Sequence, residues 1–132
     1  MTVIDTSGVV DLLVGTGAAD EVRGLIRTEG VLAAPDVLTF EVLAVLRRAI
    51  FRSTLEPPRA VRALEDYEDV SVRLFPAVPL RLRAFELRDR LTAADALFVA
   101  LAEALDEPLA TKDRGLVRTA KQLGMPVVEL AA

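Results

Sequence analysis

Short apolar runs recur along this chain, separated by longer segments whose apolar residues return every three to four positions. Val3-Ile4, Val31-Leu32-Ala33, Val70 to Phe75, Pro108 to Thr111 and Val127 to Leu130 have the length and continuity of buried strands. Between them lie helical patterns. Ser7 is expected to cap a helix running through Val9, Val10, Leu12 and Leu13 to the break at Gly15-Thr16-Gly17. Val22, Leu25 and Ile26 share one side of a second helix that Gly30 ends. Pro35-Asp36 opens a long helix to about Arg52, with Asp36 as its N-cap. Pro57-Pro58 opens another through Ala60, Val61 and Leu64. Leu80 to Arg90 is helical and basic, Thr92 begins a strongly apolar helix to about Leu105, and Asp113 to Leu123 forms the last, stopped by Gly124. Strands that alternate with helices predict an α/β fold: a parallel sheet of about four to five strands with helices on both faces. No linker, repeat or low-complexity tract divides residues 1–132, so one domain is expected.

Two acids interrupt this pattern. Glu41 shares a helix face with Val37, Leu38, Ala44 and Val45, and Asp95 shares one with Phe98, Val99 and Ala102. A carboxylate on an apolar stripe has to be neutralised, paired or bound to a metal, because an unpaired buried charge is very costly. Asp5 follows the first strand and Asp113 comes two residues after the strand that ends near Thr111. In open α/β sheets the ligand crevice lies beyond the carboxyl ends of the strands, so all four acids fall near one edge. Plainer roles compete for each. Asp5 and Asp113 suit helix N-caps, Asp95 completes the capping-box-like spacing Thr92-x-x-Asp95, and Glu41 could pair with a buried arginine. The joint arrangement is more specific than any one member, since clustered carboxylates repel unless a cation sits among them.

Composition narrows the chemistry. The chain has no cysteine and no histidine, which removes disulfides, thiolate and imidazole metal sites, and the Ser-His-Asp and Cys-His mechanisms. A metal would be held by oxygen, which favours magnesium or manganese. Apolar residues make up 52% of the chain and mean hydropathy is +0.38, against disorder. No apolar run is long enough for a membrane span, and the start lacks the basic region of a secretory signal, so a cytoplasmic protein is expected. Net charge is −4, and 14 of the 16 basic residues are arginine. That balance argues against a broad nucleic-acid-coating surface but leaves room for a local arginine patch.

Val3-Ile4-Asp5-Thr6-Ser7, Pro35-Asp36 leading to Glu41-Val42-Leu43, Leu91-Thr92-Ala93-Ala94-Asp95-Ala96 with Val99 to Glu103, and Leu109-Ala110-Thr111-Lys112-Asp113-Arg114 together resemble the PIN-domain family, and within it the VapC toxins of bacterial type II toxin–antitoxin pairs. The resemblance spans essentially the whole chain. It implies a three-layer PIN-like fold and a Mg2+- or Mn2+-dependent endoribonuclease that cuts structured RNA such as transfer or ribosomal RNA. Asp5, Glu41, Asp95 and Asp113 match its metal-binding acids, Thr111 a hydroxyl position near the last acid, and Ser7 a small polar position after the first. The metal would polarise the scissile phosphate and activate a water, leaving a 5′-phosphate and a 3′-hydroxyl. A homodimer and a VapB-like antitoxin whose C-terminal segment occupies the active-site groove are also implied. One position departs from the family pattern: Ala94 stands where an aromatic residue commonly precedes the third acid.

Arg81, Arg83, Arg88 and Arg90 cluster just before Asp95, and Arg114 follows Asp113. Arg88, Arg90 and Arg114 are candidates for gripping RNA phosphates, against a solvated helix face or local ion pairs. The helix from Val37 to Phe51 is apolar nearly all round, which calls for cover by a partner or by the helix beginning at Pro57. Three other functions compete. An aspartyl-nucleophile phosphohydrolase would want an acid where Ser7 stands. A receiver-like domain would need its lysine elsewhere than Lys112. A catalytically silent binding module would not be expected to keep all four acids.

Overall fold

In the computed structural model, which describes residues 1–131, the elements follow the order β1 (Val3–Ile4), α1 (Thr6–Val14), α2 (Ala19–Glu29), β2 (Leu32–Pro35), α3 (Leu38–Phe51), α4 (Pro57–Tyr67), β3 (Val72–Phe75), α5 (Arg81–Glu86), α6 (Ala93–Leu105), β4 (Leu109–Thr111), α7 (Arg114–Gln122) and β5 (Val127–Glu129). A 3-10 turn over Val78–Leu80 leads into α5. The five strands form one parallel sheet in the order β3-β2-β1-β4-β5, flanked by the helices. This is the α/β architecture that the alternation of patterns predicts.

The middle of the sheet is apolar without alternation because both faces are covered. Val3, Ile4, Leu32, Ala33, Ala34, Leu109 and Ala110 are fully buried. The apolar helix α6 packs across β1, β2 and β4. Its alanines allow a close approach to the sheet, and Phe98 fills the space beneath. The edge strands are less covered: Arg73 and Leu74 of β3 and Glu129 of β5 reach solvent.

The strand order fixes where a ligand crevice lies. The chain leaves β1 for β2 on one side, and β4 pairs on the other, so connections diverge at the β1/β4 junction. Such a switch point opens a crevice beyond the carboxyl ends of the two strands. Ile4 pairs with Ala110, and the Asp5 N–H donates to the Ala110 carbonyl at 3.2 Å. The next residues, Asp5 and Thr111, therefore emerge side by side.

Several helix starts differ from the sequence expectation. Asp5, not Ser7, caps α1: its carboxylate accepts from the Gly8 N–H, and the Ser7 hydroxyl donates to the same oxygen. A carboxylate one residue before the helix outcompetes a hydroxyl already inside its first turn. Asp36 does not cap α3. Pro35 completes β2, α3 begins at Leu38 without a side-chain cap, and Asp36 instead accepts from the Ala77 N–H at 3.2 Å, linking the ends of β2 and β3. The basic helix after Leu80 ends early at Glu86, followed by a turn to Thr92.

Helix α4 packs against α1 and α3 but leaves part of α3 uncovered. Phe40 and Phe51 of α3 and Val61 of α4 are each more than half exposed. Among the described residues no helix is long and apolar enough to cross a membrane.

Candidate metal centre

Asp5, Glu41, Asp95 and Asp113 line a single cleft of about 540 Å³ at the β1/β4 switch point, together with Thr6, Ser7, Val45, Arg48, Phe98 and Lys112. Four segments far apart in sequence deliver these acids. Asp5 is the N-cap of α1, Glu41 lies in the first turn of α3, Asp95 in the first turn of α6, and Asp113 is the N-cap of α7. Capping and clustering coexist here: two acids that satisfy helix N–H groups also face a common space.

Asp5 is the most buried, 8% exposed, and both of its oxygens are engaged. Oδ1 accepts from the Ser7 hydroxyl at 3.0 Å and the Gly8 N–H at 3.1 Å; Oδ2 accepts from the Thr111 hydroxyl at 2.5 Å. The Thr111 oxygen accepts in turn from the Asp113 N–H at 3.0 Å, so one hydroxyl joins the first acid to the backbone of the last. Burial pushes the Asp5 carboxyl above its ordinary value; the three donors oppose the shift, and the Asp95 charge adds to it.

Asp95 is the electrostatic hub. Its own carboxyl is pushed up by burial and then by Asp113. Glu41 is pushed up by burial and then by Asp95, with Arg48 pulling the other way. Arg48 forms no ion pair with Glu41, whose carboxylate makes no hydrogen bond or ion pair among the described residues. The arginine pair weighed for Glu41 is thus absent. The N–H of Asp95 donates to the Thr92 hydroxyl at 3.2 Å, half of a capping box.

A divalent cation fits this donor set, though not as a preassembled cage. Among the described residues no three acids stand close enough together to hold an ion directly. Magnesium commonly binds through one or two carboxylates and keeps several waters, so a wider acidic cleft suits it better than a tight one. Thr6 lines the same cleft, but its hydroxyl oxygen is itself buried and has no hydrogen-bond partner.

Sequence reasoning gave no role at this cleft to four residues of the neighbourhood: Lys112, Asp11, Gly17 and Arg48. Lys112, at the cleft edge, donates to Oδ2 of Asp11 at 2.7 Å. Asp11 is buried on α1 and also accepts from the Ala18 N–H at 3.0 Å and the Thr16 hydroxyl at 3.3 Å. Gly17, at φ +48°, lies so close to this carboxylate that a Cβ would collide with it. Arg48 projects from α3 into the cleft. The basic cluster before Asp95 divides. Arg83 is spent on Glu103, with both contacts within 3.0 Å. Arg88 stacks on the Phe85 ring at 4.6 Å and donates to that residue's carbonyl, away from the acids. Arg90 lines a side groove with Asp95 and Asp113, and donates to Gln122 at 2.8 Å.

Residues 2–122 match the family model of the PIN domain. Three proteins of Mycobacterium tuberculosis are similar over nearly their full length. Ribonuclease VapC12 is 34% identical over 119 residues, 90% of this chain and 92% of that protein. Ribonuclease VapC1 is 39% identical over 126 residues, 94% of this chain and 92% of that protein. Ribonuclease VapC9 is 38% identical over 119 residues, 90% of this chain and 91% of that protein. With a family model covering most of its length and relatives of this identity, the chain belongs to the PIN-domain family, among its VapC-type members.

Proposed function

We propose that this chain is a divalent-metal-dependent endoribonuclease, the toxin of a VapBC-type toxin–antitoxin pair. The observation that carries the proposal is the convergence of Asp5, Glu41, Asp95 and Asp113 on one cleft in a chain without histidine or cysteine. The relatives named ribonucleases supply the class of substrate.

When bound, magnesium or manganese would neutralise charge at the scissile phosphate and lower the pKa of a water beside it. The side chains do the rest. Asp95 is pushed up by Asp113 and in turn pushes up Asp5 and Glu41, a repulsion that a cation between them would relieve. Thr111 and Ser7 orient the two Asp5 oxygens. Glu41 and Asp95, pushed above the ordinary carboxylate range, are the groups best suited to accept a proton from the attacking water. The water oxygen bonds to phosphorus, the P–O3′ bond breaks, the leaving O3′ takes a proton from solvent water, and a 5′-phosphate and a 3′-hydroxyl remain. Asp5 is poorly placed as a nucleophile, since both its oxygens are already hydrogen-bonded. Structured RNA, a VapB-like antitoxin, a homodimer and a cytoplasmic location complete the proposal. The exposed apolar residues of α3 and α4 support a protein partner.

A cut-site map of total RNA incubated with the purified chain, with and without magnesium, tests this. Discrete cuts that vanish in chelator support it; an intact RNA profile at every magnesium and manganese level removes it.

A further inference from the structure

Beside the acidic cleft lies a second one, of about 620 Å³, and its charge is opposite. Lys112, Arg114, Arg118 and Lys121 line it against Glu21 and Glu129. Lys112 borders both clefts. Glu129 holds Lys121 at 3.0 Å and Asp11 holds Lys112 at 2.7 Å, but Arg114 and Arg118 have no ion pair among the described residues. Arg114 and Arg118 stand one turn apart on α7, on one face of the helix. Arg118 also reaches back toward the acids. A Cβ placed on Gly115 would lie 3.8 Å from its Nη2 and 3.3 Å from Oδ1 of Asp113. Accordingly Arg118 also lines the side groove that contains Asp95 and Asp113.

A polynucleotide carries a charge at every phosphate, while four acids can welcome only the one that shares their cation. The neighbouring phosphates need compensation nearby, in a chain whose net charge is −4. Resting on the ribonuclease reading, we infer that the cleft along α7 is a phosphate-binding track for a single-stranded stretch, such as a loop, of the structured RNA substrate, with Arg114 and Arg118 gripping phosphates next to the scissile one. A guanidinium without a carboxylate partner keeps its donors free for this purpose. An acidic polypeptide is a poorer fit, because the cleft continues into four carboxylates that would repel it.

The test is fluorescence anisotropy with a labelled single-stranded RNA of about twelve nucleotides. It uses the full chain carrying Asp95→Asn, so that nothing is cut, in chelator. Adding Arg114→Ala and Arg118→Ala should weaken binding roughly tenfold or more and lower the salt slope by about 1.4, near 0.7 per lost phosphate contact. Arg73→Ala, on the far edge strand β3, is the control and should change neither. Both arginines are exposed, so folding should hold, and Arg118→Glu gives an independent check with a larger loss. Unchanged affinity and slope, or a loss matched by Arg73→Ala, overturns the track. So does unchanged RNA binding together with lost binding of poly-glutamate. Cleavage by the parental chain is read separately: RNA cuts alongside undiminished binding by the arginine variant sink the track alone. Arginine-dependent binding without any cutting sinks the nuclease reading alone.

Discussion

Thr111 and Asp5, 106 residues apart in sequence, are joined by a hydrogen bond from the threonine hydroxyl to Oδ2 of the aspartate. The bond exists because β1 and β4 are parallel neighbours whose ends emerge together. It ties the two sides of the switch point and helps keep a buried carboxyl ionised. Thr111→Val keeps the shape and removes the hydroxyl. It also leaves the Asp113 N–H without its acceptor. The expected loss of stability is about 1–3 kcal/mol by urea unfolding. The Asp5 pKa rises further, so the acid limb of the cleavage profile moves to higher pH. An unmoved acid limb would show that Thr111 does not tune Asp5.

Asp95→Asn should remove cleavage and, without metal, leave the fold at least as stable as the parent. The pH dependence identifies the cause. Asp5, Glu41 and Asp95 all hold their protons above the ordinary carboxylate values of 3.8 and 4.5, so each binds a proton more tightly folded than unfolded. The resulting stabilisation is present below that range and is lost as pH rises through the raised values. The parent in chelator should therefore lose Tm relative to Asp95→Asn on going from acid toward neutral pH. Parallel Tm curves for the two chains would mean the acids do not strain one another.

Cation addition should reverse that loss. At roughly 100-fold excess over Kd, a ligand that binds only the folded chain adds about 2.7 kcal/mol, readable as a rise in Tm. Manganese should raise the parental Tm more than that of Asp95→Asn. Equal shifts in both chains would place the ion elsewhere.

The Asp11–Lys112 pair makes a different prediction, one of stability. Asp11→Ala removes three hydrogen bonds to a buried carboxylate and leaves Lys112 unpaired. A loss of about 2–3 kcal/mol is expected in urea unfolding, below the full cost of a wholly buried pair because Lys112 is partly exposed. If Lys112→Met costs as much as Asp11→Ala, the lysine and not the loop bonds to Ala18 and Thr16 dominates.

Much of this was legible in the sequence because it depends on local pattern. The strands announced themselves as short continuous apolar runs, and Asp95 and Glu41 as charges on apolar stripes. The sheet's strand order was not written in any one segment, yet the position of acids after strand ends pointed to its carboxyl edge. Helix starts were less legible, since Asp36 found a distant acceptor role at Ala77 and freed α3 to begin later. Asp11 read as an ordinary polar position on α1, because its partner Lys112 lies 101 residues away. Arg118 was invisible for a similar reason: its meaning comes from Gly115 and Asp113 being packed under it. Arg83, in the basic cluster before Asp95, has its partner Glu103 20 residues further on, a pairing no local pattern shows.

The most direct measurement is the rate of RNA cleavage by the purified chain and by Asp95→Asn as manganese is titrated from chelator upward. No cleavage in chelator, saturable activation of the parent and none of the variant is the predicted result. Cleavage in chelator, or a variant as fast as the parent, would contradict a centre built on four carboxylates sharing a cation.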